Sequence, residues 1–520
     1  MSKKHQKQNT YKKKYKISNL LLWLILLLGF ILRCVYLYYF KDTVYFNPSL
    51  MDGHDQKTFI LWAQQILQHP FAKGDPFYMA PLYAYFLALV HLISGGNLII
   101  ISLIQLVMDV VLCFLVYYIG KTIYNEWTGV IAAFLACFYR TSIVYASTIL
   151  SDGLIYFLYI LFIALIYFSL QKPNFTRWII TGVILGLSAL AKPTIAIFLP
   201  FLLIGLYLYP EKKLLPVEMK PKLQPLTIFF LLLFISGLVI LPVTIRNYYA
   251  SGQFVPICTN GPVNWRIGNS VDSIGLFHYP KGALLSPLSL AFWKLFLTKL
   301  HLFFTSYEWP QNLNVHLMEE VIPALKYAFV KFGFIVPAGV AGLLLLFKNW
   351  RKNFIFITFT ISNVLWVVLF FITDRYRLPA VGCFAICAGY LIVWSMEQLK
   401  AKKLLQPVIM WLIAGIFAFY FNTKPGPLIP DVSYRVFSNL SIKNIQYDLQ
   451  QKNLSKAHKE ALTYYRVIPG DFRSNFLLAN TFFLKGDKKT AVALLKRTLE
   501  LSPDFTPAQE MLKYIESSML

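Results

Sequence analysis

Apolar runs long enough to cross a bilayer recur from residue 17 to residue 421, separated by short loops rich in lysine or longer loops of nearly balanced charge. A helix needs roughly 20 apolar residues to span the hydrocarbon core. The runs fall near 17–40, 97–120, 128–147, 149–169, 177–191, 194–209, 225–245, 321–347, 354–373, 378–396 and 406–421. These make about eleven spans and predict an all-α polytopic membrane protein. The two runs flanking Lys192-Pro193 are short, so their helices need not cross fully. With 57% hydrophobic and 14% charged residues, the chain has too little polar surface to stay soluble. The first run, at 24 residues, exceeds the roughly 7–15 of a signal core, and no small-residue cleavage pattern follows it. It is expected to remain as a spanning helix.

Charge sets the expected direction of each span. The segment 1–16 carries seven lysines and reads as a basic cytoplasmic tail. Inner loops then hold Lys121, then Lys172 and Arg177, then Lys212, Lys213, Lys220 and Lys222, then Lys348, Arg351 and Lys352, and last Lys400, Lys402 and Lys403. An odd number of spans leaves the carboxyl end outside, beyond the cytoplasmic membrane. The net charge of +25 therefore reflects topology, and no nucleic-acid partner is expected. Of the six cysteines, only Cys258 lies in a loop, and their spacing suits neither a disulfide framework nor a metal site.

Runs that travel outward end at ionisable residues: Asp152, Lys192, Arg246 and Asp374-Arg375. Two outer loops are large, 41–96 and 246–320. The first opens on Asp52-Gly53-His54-Asp55 and continues into an amphipathic stretch, Asp55 to Leu67, and an aromatic segment, Pro76 to Leu92. Both stretches are expected along the membrane surface. The tail, 431–520, is polar and helical and carries a 34-residue period: Ala457 recurs as Ala491 and Pro469 as Pro503. Together with Leu478-Ala479, Phe482, Gly486 and Leu495, this fits the tetratricopeptide template, a surface able to dock a protein partner. A folded appendage without a partner would read the same way.

The candidate chemical residues share one face. Asp55 starts a helical pattern, Asp55-x-x-x-Phe59-x-x-x-Ala63, where free backbone N–H groups can hold a carboxylate; an ordinary helix cap gives the same pattern. Asp52 and His54 could join it around a divalent cation, although the spacing is not diagnostic. Asp152 and Glu308 are acids at the membrane margin, costly unless paired or functional. Asp109, deep in its run, reads as a polar contact between helices and stays outside the site. Lys192, Arg246, Arg375 and Arg377 suit a phosphate at headgroup level, while snorkelling explains any one of them singly.

In order, these residues resemble a known group. Asp55-x-x-x-Phe59-x-x-x-Ala63, Ala80-Pro81-Leu82-Tyr83, Leu150-Ser151-Asp152 and Ala191-Lys192-Pro193-Thr194 are followed by Pro242-x-x-x-Arg246-Asn247-Tyr248. Then come Thr259-Asn260-Gly261 with Ile267-Gly268-Asn269, Tyr307-Glu308-x-Pro310-x-Asn312, and Arg375-Tyr376-Arg377-Leu378-Pro379. This series resembles the protein-mannosyltransferase and aminoarabinose-transferase group, glycosyltransferase family 39, and within it a bacterial branch that adds tetratricopeptide repeats. The resemblance implies a GT-C transmembrane domain over 17–421 and sugar transfer from a polyprenyl-phosphate donor. It implies Asp55 as catalytic base, with Arg246 and Tyr376 at the lipid phosphate; on their own chemistry, Lys192 and Arg375 are expected to join Arg246 there, and Asp152, Glu308 and Asp52 to position donor or acceptor. Asn260 and Asn269 would supply loop contacts. Two departures stand out. Met79-Ala80 replaces the Glu-Lys of aminoarabinose transferases, and Gln56 follows Asp55 where mannosyltransferases carry Glu. The acceptor (protein, lipid or cell-envelope glycan) is therefore open, as is a requirement for a divalent cation. The competing class is a polyprenyl-linked sugar flippase or transporter, which places charge near mid-membrane and often shows inverted repeats.

Overall fold

The computed structural model describes residues 3–209, 214–215, 223–423 and 432–518. Lys212, Lys213, Lys220 and Lys222, the side chains of the basic tail and the boundary at residue 431 lie outside the described part. Among the described residues there are no strands, only three isolated β-bridges. The helices are α1 (Lys3–Phe40), α2 (Asp55–Gln68), α3 (Leu82–Ser94), α4 (Leu98–Ile123), α5 (Glu126–Cys137), α6 (Arg140–Ser147), α7 (Asp152–Gln171), α8 (Phe175–Ala191), α9 (Leu199–Leu208), α10 (Gln224–Ser251) and α11 (Gly261–Asn269). They continue with α12 (Leu290–Phe304), α13 (Val315–Val321), α14 (Phe332–Leu346), α15 (Trp350–Leu369), α16 (Leu378–Lys400) and α17 (Leu405–Thr423). The carboxyl-terminal helices are α18 (Val432–Gln450), α19 (Leu454–Val467), α20 (Phe472–Leu484), α21 (Lys488–Leu501) and α22 (Thr506–Ser517). Asparagine fixes several starts: the side chains of Asn97, Asn125 and Asn174 accept from free amides in the first turns of α4, α5 and α8.

The chain is an all-α polytopic membrane protein. Seven helical stretches among the described residues are long and apolar enough to cross a membrane: Ile17–Phe40, Leu98–Ile123, Asp152–Gln171, Gln224–Ser251, Phe332–Leu369, Arg375–Lys400 and Leu405–Asn422. The stretch Phe332–Leu369 contains α14 and α15, joined by the 3₁₀ turn Phe347–Asn349. The helices around Lys192-Pro193 are short, as their sequence suggests. Two expectations need correction. The run 128–147 is not one span, because α5 stops at Cys137 and the chain turns at Phe138-Tyr139 into the separate helix α6. Bridging between Tyr139 and Val330 holds that break, and all eight residues of α6 are buried. The run expected to end at Arg246 instead continues as helix to Ser251, where Gly252 closes it with φ 71°.

The molecule divides into two compact units. The first comprises Met1–Val35, Phe59–Gln311 and Tyr327–Leu428. Its most enclosed span is α16, packed against α5 and α14. Close approach there depends on glycine: a Cβ added at Gly342 would stand 2.0 Å from the Cys387 carbonyl oxygen. Asp109 is tied to Arg33, whose Nε donates at 2.7 Å, and to the Ser142 hydroxyl at 2.7 Å, the interhelical contact expected of it.

The second unit comprises Tyr36–Thr58, Asn312–Lys326 and Ile429–Leu520. From α18 to α22 each helix packs on the next, with Ala457, Ala461, Ala479, Ala491 and Ala508 buried where they meet. The sequence period reappears as a repeated bond. Asn475 Nδ2 donates to the Pro469 carbonyl at 2.9 Å, and Gln509 Nε2 donates to the Pro503 carbonyl at 2.8 Å, each pair offset by 34 residues.

Candidate functional site

The clearest constellation in the first unit forms where α8 stops and where α16 begins. Lys192 caps the end of α8 in an extended conformation before Pro193, whose ring cannot continue the helix. The Tyr159 hydroxyl donates to the Lys192 carbonyl at 2.9 Å. The Lys192 ammonium lies 3.7 Å from the centre of the Tyr376 ring and 5.2 Å from that of Trp366. Arg375, 5.1 Å from the same tyrosine ring, donates from Nη1 to Asp152 at 3.2 Å and from Nε to the Gln311 side chain at 3.1 Å. Lys192, Tyr376, Arg375 and Asp152 are therefore brought together as the sequence suggests. Among the described residues, no carboxylate neutralises Lys192.

Residues 375–377 form a 3₁₀ turn, so the two arginines of Arg375-Tyr376-Arg377 take different partners. Arg377 is fully buried. It donates to the carbonyls of Phe303, Thr305 and Tyr307 and to Glu308 Oε2 at 2.8 Å. The other Glu308 oxygen accepts from the Tyr139 and Thr141 hydroxyls, both at 2.9 Å. Both oxygens of Glu308 are thus engaged in a buried lock, and Arg377 is spent there as well. Asp374 caps the turn: its Oδ1 accepts from the Arg375 amide at 2.6 Å and from Tyr145 at 2.8 Å, and its Oδ2 has no partner. Burial first, then the nearby Glu308 charge, push its carboxyl up to about 8, so it is largely protonated at neutral pH.

Arg246 sits within α10 with its guanidinium over Phe77 at 4.1 Å, and it donates to the Asp75 carbonyl at 3.2 Å. Among the described residues its bonds lead to Asp75 and Asn247, not to the Lys192 group. Asn260 closes the turn before α11, its amide donating to the Tyr78 carbonyl at 2.9 Å. Asn269 donates to the carbonyls of Trp265 and Leu369 and accepts from Lys299 at 2.8 Å.

Sequence reasoning misses Lys299, although its place on the buried face shared by Phe292, Leu302 and Phe303 of α12 is a usable signal. Its ammonium also donates to the carbonyls of Gly268, Leu369 and Phe370, between 3.1 and 3.2 Å. Burial pushes the amine down to about 7 from an ordinary value near 10.5. The folded state then binds fewer protons than the unfolded one. The stability linked to this group is present above pH 10.5 and is lost as pH falls through about 7. Lys299→Met takes a donor from four oxygens, of which the Leu369 carbonyl keeps Asn269 Nδ2, and is expected to cost about 3 kcal/mol. The gap in unfolding temperature between wild type and variant should widen from pH 7 to pH 9. A gap independent of pH would contradict the assignment.

In the second unit, Asp55 is the first residue of α2, half-buried, and its Oδ2 accepts from Asn312 Nδ2 at 2.8 Å. Asn312 ends the Tyr307-Glu308-x-Pro310-x-Asn312 motif, and its spacing alone assigns it no role. Gln56, the departure beside Asp55, is fully buried, and neither of its side-chain polar atoms has a partner. Burial lowers the His54 pKa, against the opposing pull of Asp55, so the ring is neutral at pH 7. Asp52 is exposed and paired with Lys57 at 2.5 Å, with Lys443 at 3.8 Å. Among the described residues no three His, Cys, Asp or Glu side chains gather as metal ligands, so Asp52, His54 and Asp55 do not fit a divalent-cation site, and no step is derived through one.

A search of curated proteins returns no match. Among solved structures, the Archaeoglobus fulgidus oligosaccharyltransferase in complex with Zn and sulfate aligns with a TM-score of 0.47 and 13% identity, covering 80% of this chain and 55% of that one. The archaeal oligosaccharyltransferase AglB from the same organism, in complex with an inhibitory peptide and a dolichol-phosphate, aligns with a TM-score of 0.42 and 13% identity, covering 82% and 58%. The chain thus spans little more than half the length of these proteins. Residues 75–240, a stretch that includes Asp152 and Lys192 and leaves out Asp55 and Arg375, match the family described as dolichyl-phosphate-mannose-protein mannosyltransferase, which bears out over that segment the resemblance to GT-C glycosyltransferases read from the order of the motifs.

Proposed function

We propose that the protein is an inverting glycosyltransferase that moves a hexosyl or pentosyl group from a polyprenyl-phosphate donor to an acceptor hydroxyl at the outer face of the cytoplasmic membrane. The observation that carries this reading is the Lys192 ammonium, held against two neighbouring aromatic rings with, among the described residues, no carboxylate to neutralise it. Such a cation is poised for an anion supplied from outside the protein, and a lipid phosphate at headgroup depth supplies one. Arg375, paired with Asp152 and bonded to the Gln311 side chain, adds a second cation beside the same tyrosine ring.

In the proposed reaction the acceptor O–H gives its proton to the Asp55 carboxylate while its oxygen bonds to the anomeric carbon. The bond from that carbon to the phosphate oxygen breaks, and its electron pair leaves with the lipid phosphate. Lys192 and Arg375 stabilise the charge that grows on the phosphate. One displacement inverts the anomeric centre. In this reading the amino terminus lies in the cytoplasm and the carboxyl-terminal tail outside, which the lysine distribution supports.

The test is a purified protein in liposomes given radiolabelled polyprenyl-phosphate sugar: label should pass to an acceptor fraction, and label moved between leaflets with donor intact would show a flippase instead. Within the site, Tyr376→Phe keeps the ring and is expected to lie within about twofold of wild type. Tyr376→Ala removes the face beneath Lys192, an interaction of about 1 kcal/mol, and should raise the donor KM roughly fivefold. Equal effects from both variants would show that the hydroxyl, not the ring, matters.

A further inference from the structure

We propose that α18 and α19 of the carboxyl-terminal tail position Asp55 for catalysis, a role that rests on the reading of Asp55 as the base. The Asn312–Asp55 bond joins segments 257 residues apart, and within the second unit the tail grips both of them. On the Asp55 side, α18 packs against the 3₁₀ turns Val44–Phe46 and Pro48–Leu50, which lead into the acid. Phe437 of α18, fully buried, stacks on Tyr45 with ring centres 6.3 Å apart and planes 18° from parallel. Lys443 approaches Asp52, and Lys459 of α19 pairs with Asp42.

On the Asn312 side, α13 packs on α19. The Tyr434 hydroxyl donates to Glu320 at 2.9 Å, and Arg466 donates to the Val321 carbonyl at 2.9 Å. The two helices are in turn fastened to each other. Ser441 donates to Glu460 at 3.0 Å, and Phe437 meets Tyr464 edge to face at 6.1 Å. One hairpin therefore sets the spacing between the carboxylate and the amide that orients it. A tail serving only as a docking platform would not need contacts to both segments. Each contact falls instead on chain leading to one end of the Asn312–Asp55 bond.

The test uses the full-length protein and measures steady-state kinetics with lipid-linked donor, alongside hydrogen exchange of the peptides covering 42–57 and 312–326. Tyr434→Phe with Arg466→Met removes two polar ties at the exposed side of α13 and should leave the unfolding temperature close to wild type. The expected result is a kcat lower by about tenfold, an unchanged donor KM and faster exchange in the 312–326 peptide. Phe437→Ala should lower kcat further, and Phe437→Leu, which refills the core, should restore most of it. If all these variants turn over at the wild-type rate while Asp55→Asn is inactive, the positioning role is overturned and the base assignment stands. If Asp55→Asn is itself active, the base assignment fails first. Parallel loss of kcat and folded protein in Tyr434→Phe/Arg466→Met, with no change in exchange beforehand, would reduce the tail to a stability element and also overturn the proposal.

Discussion

Asp55→Asn is expected to reduce turnover by about 10²–10⁴-fold with little change in folding. Asparagine matches the shape of aspartate, and its amide oxygen can still accept from Asn312 Nδ2, so the bond observed at 2.8 Å need not be lost. What disappears is the oxygen able to take the acceptor proton. The donor KM should hold, because the phosphate is assigned to Lys192 and Arg375, so the loss should fall on kcat. Asn312→Ala makes the complementary change. It keeps the base and removes its orienting donor, and a smaller loss of about tenfold is expected. Single-turnover transfer of radiolabel separates chemistry from product release in both variants. Wild-type-like chemistry in Asp55→Asn would remove Asp55 from the mechanism.

The second large effect concerns stability. Arg377→Met should destabilise the fold by about 3–5 kcal/mol, because Glu308 would stay buried with its counter-charge gone and three carbonyls would lose their donor. The double variant Arg377→Met/Glu308→Met removes both charges and should recover a good part of the loss, as buried pairs replaced by apolar side chains often do. Folded yield and unfolding temperature in detergent report both. Arg375→Gln offers the contrast. It should impair donor binding and cost less stability than Arg377→Met, since a glutamine amide can still donate to Asp152 and the three carbonyls held by Arg377 are untouched. If Arg375→Gln unfolded the protein while Arg377→Met did not, the division of labour between the two arginines would be reversed.

Much of this architecture is legible in the order of residues alone. The contrast between apolar runs and lysine-bearing loops points to the all-α membrane class, because a bilayer leaves the backbone few other options. The pairing of Asp109 within the bundle, and the meeting of Asp152, Lys192, Arg375 and Tyr376, follow from the cost of isolated charge at membrane depth. The partition of Arg375 from Arg377 is not legible: a single 3₁₀ turn aims them apart, and the partners that decide it lie about 70 residues upstream for Arg377 and 223 for Arg375. The break between α5 and α6 is hidden for a similar reason. A continuous apolar run carries no local stop signal, and the chain is turned by bridging to Val330. Lys299 is lost among loop lysines because its register with Phe292, Leu302 and Phe303 shows only once that stretch is read as a helix. Tail packing is invisible because the 34-residue period describes how the helices meet one another and says nothing of the faces they keep for other segments.

The make-up of the second unit bears on biosynthesis. Its first strip of chain, Tyr36–Thr58, emerges from the ribosome roughly 370 residues ahead of α18. At about 5–20 residues per second, the turns around Tyr45 wait some tens of seconds for the aromatic ring that will cover them. A nascent chain stalled or cleaved before residue 432 therefore inserts its membrane helices with that early strip still uncovered, and such products should be degraded faster than the full-length chain.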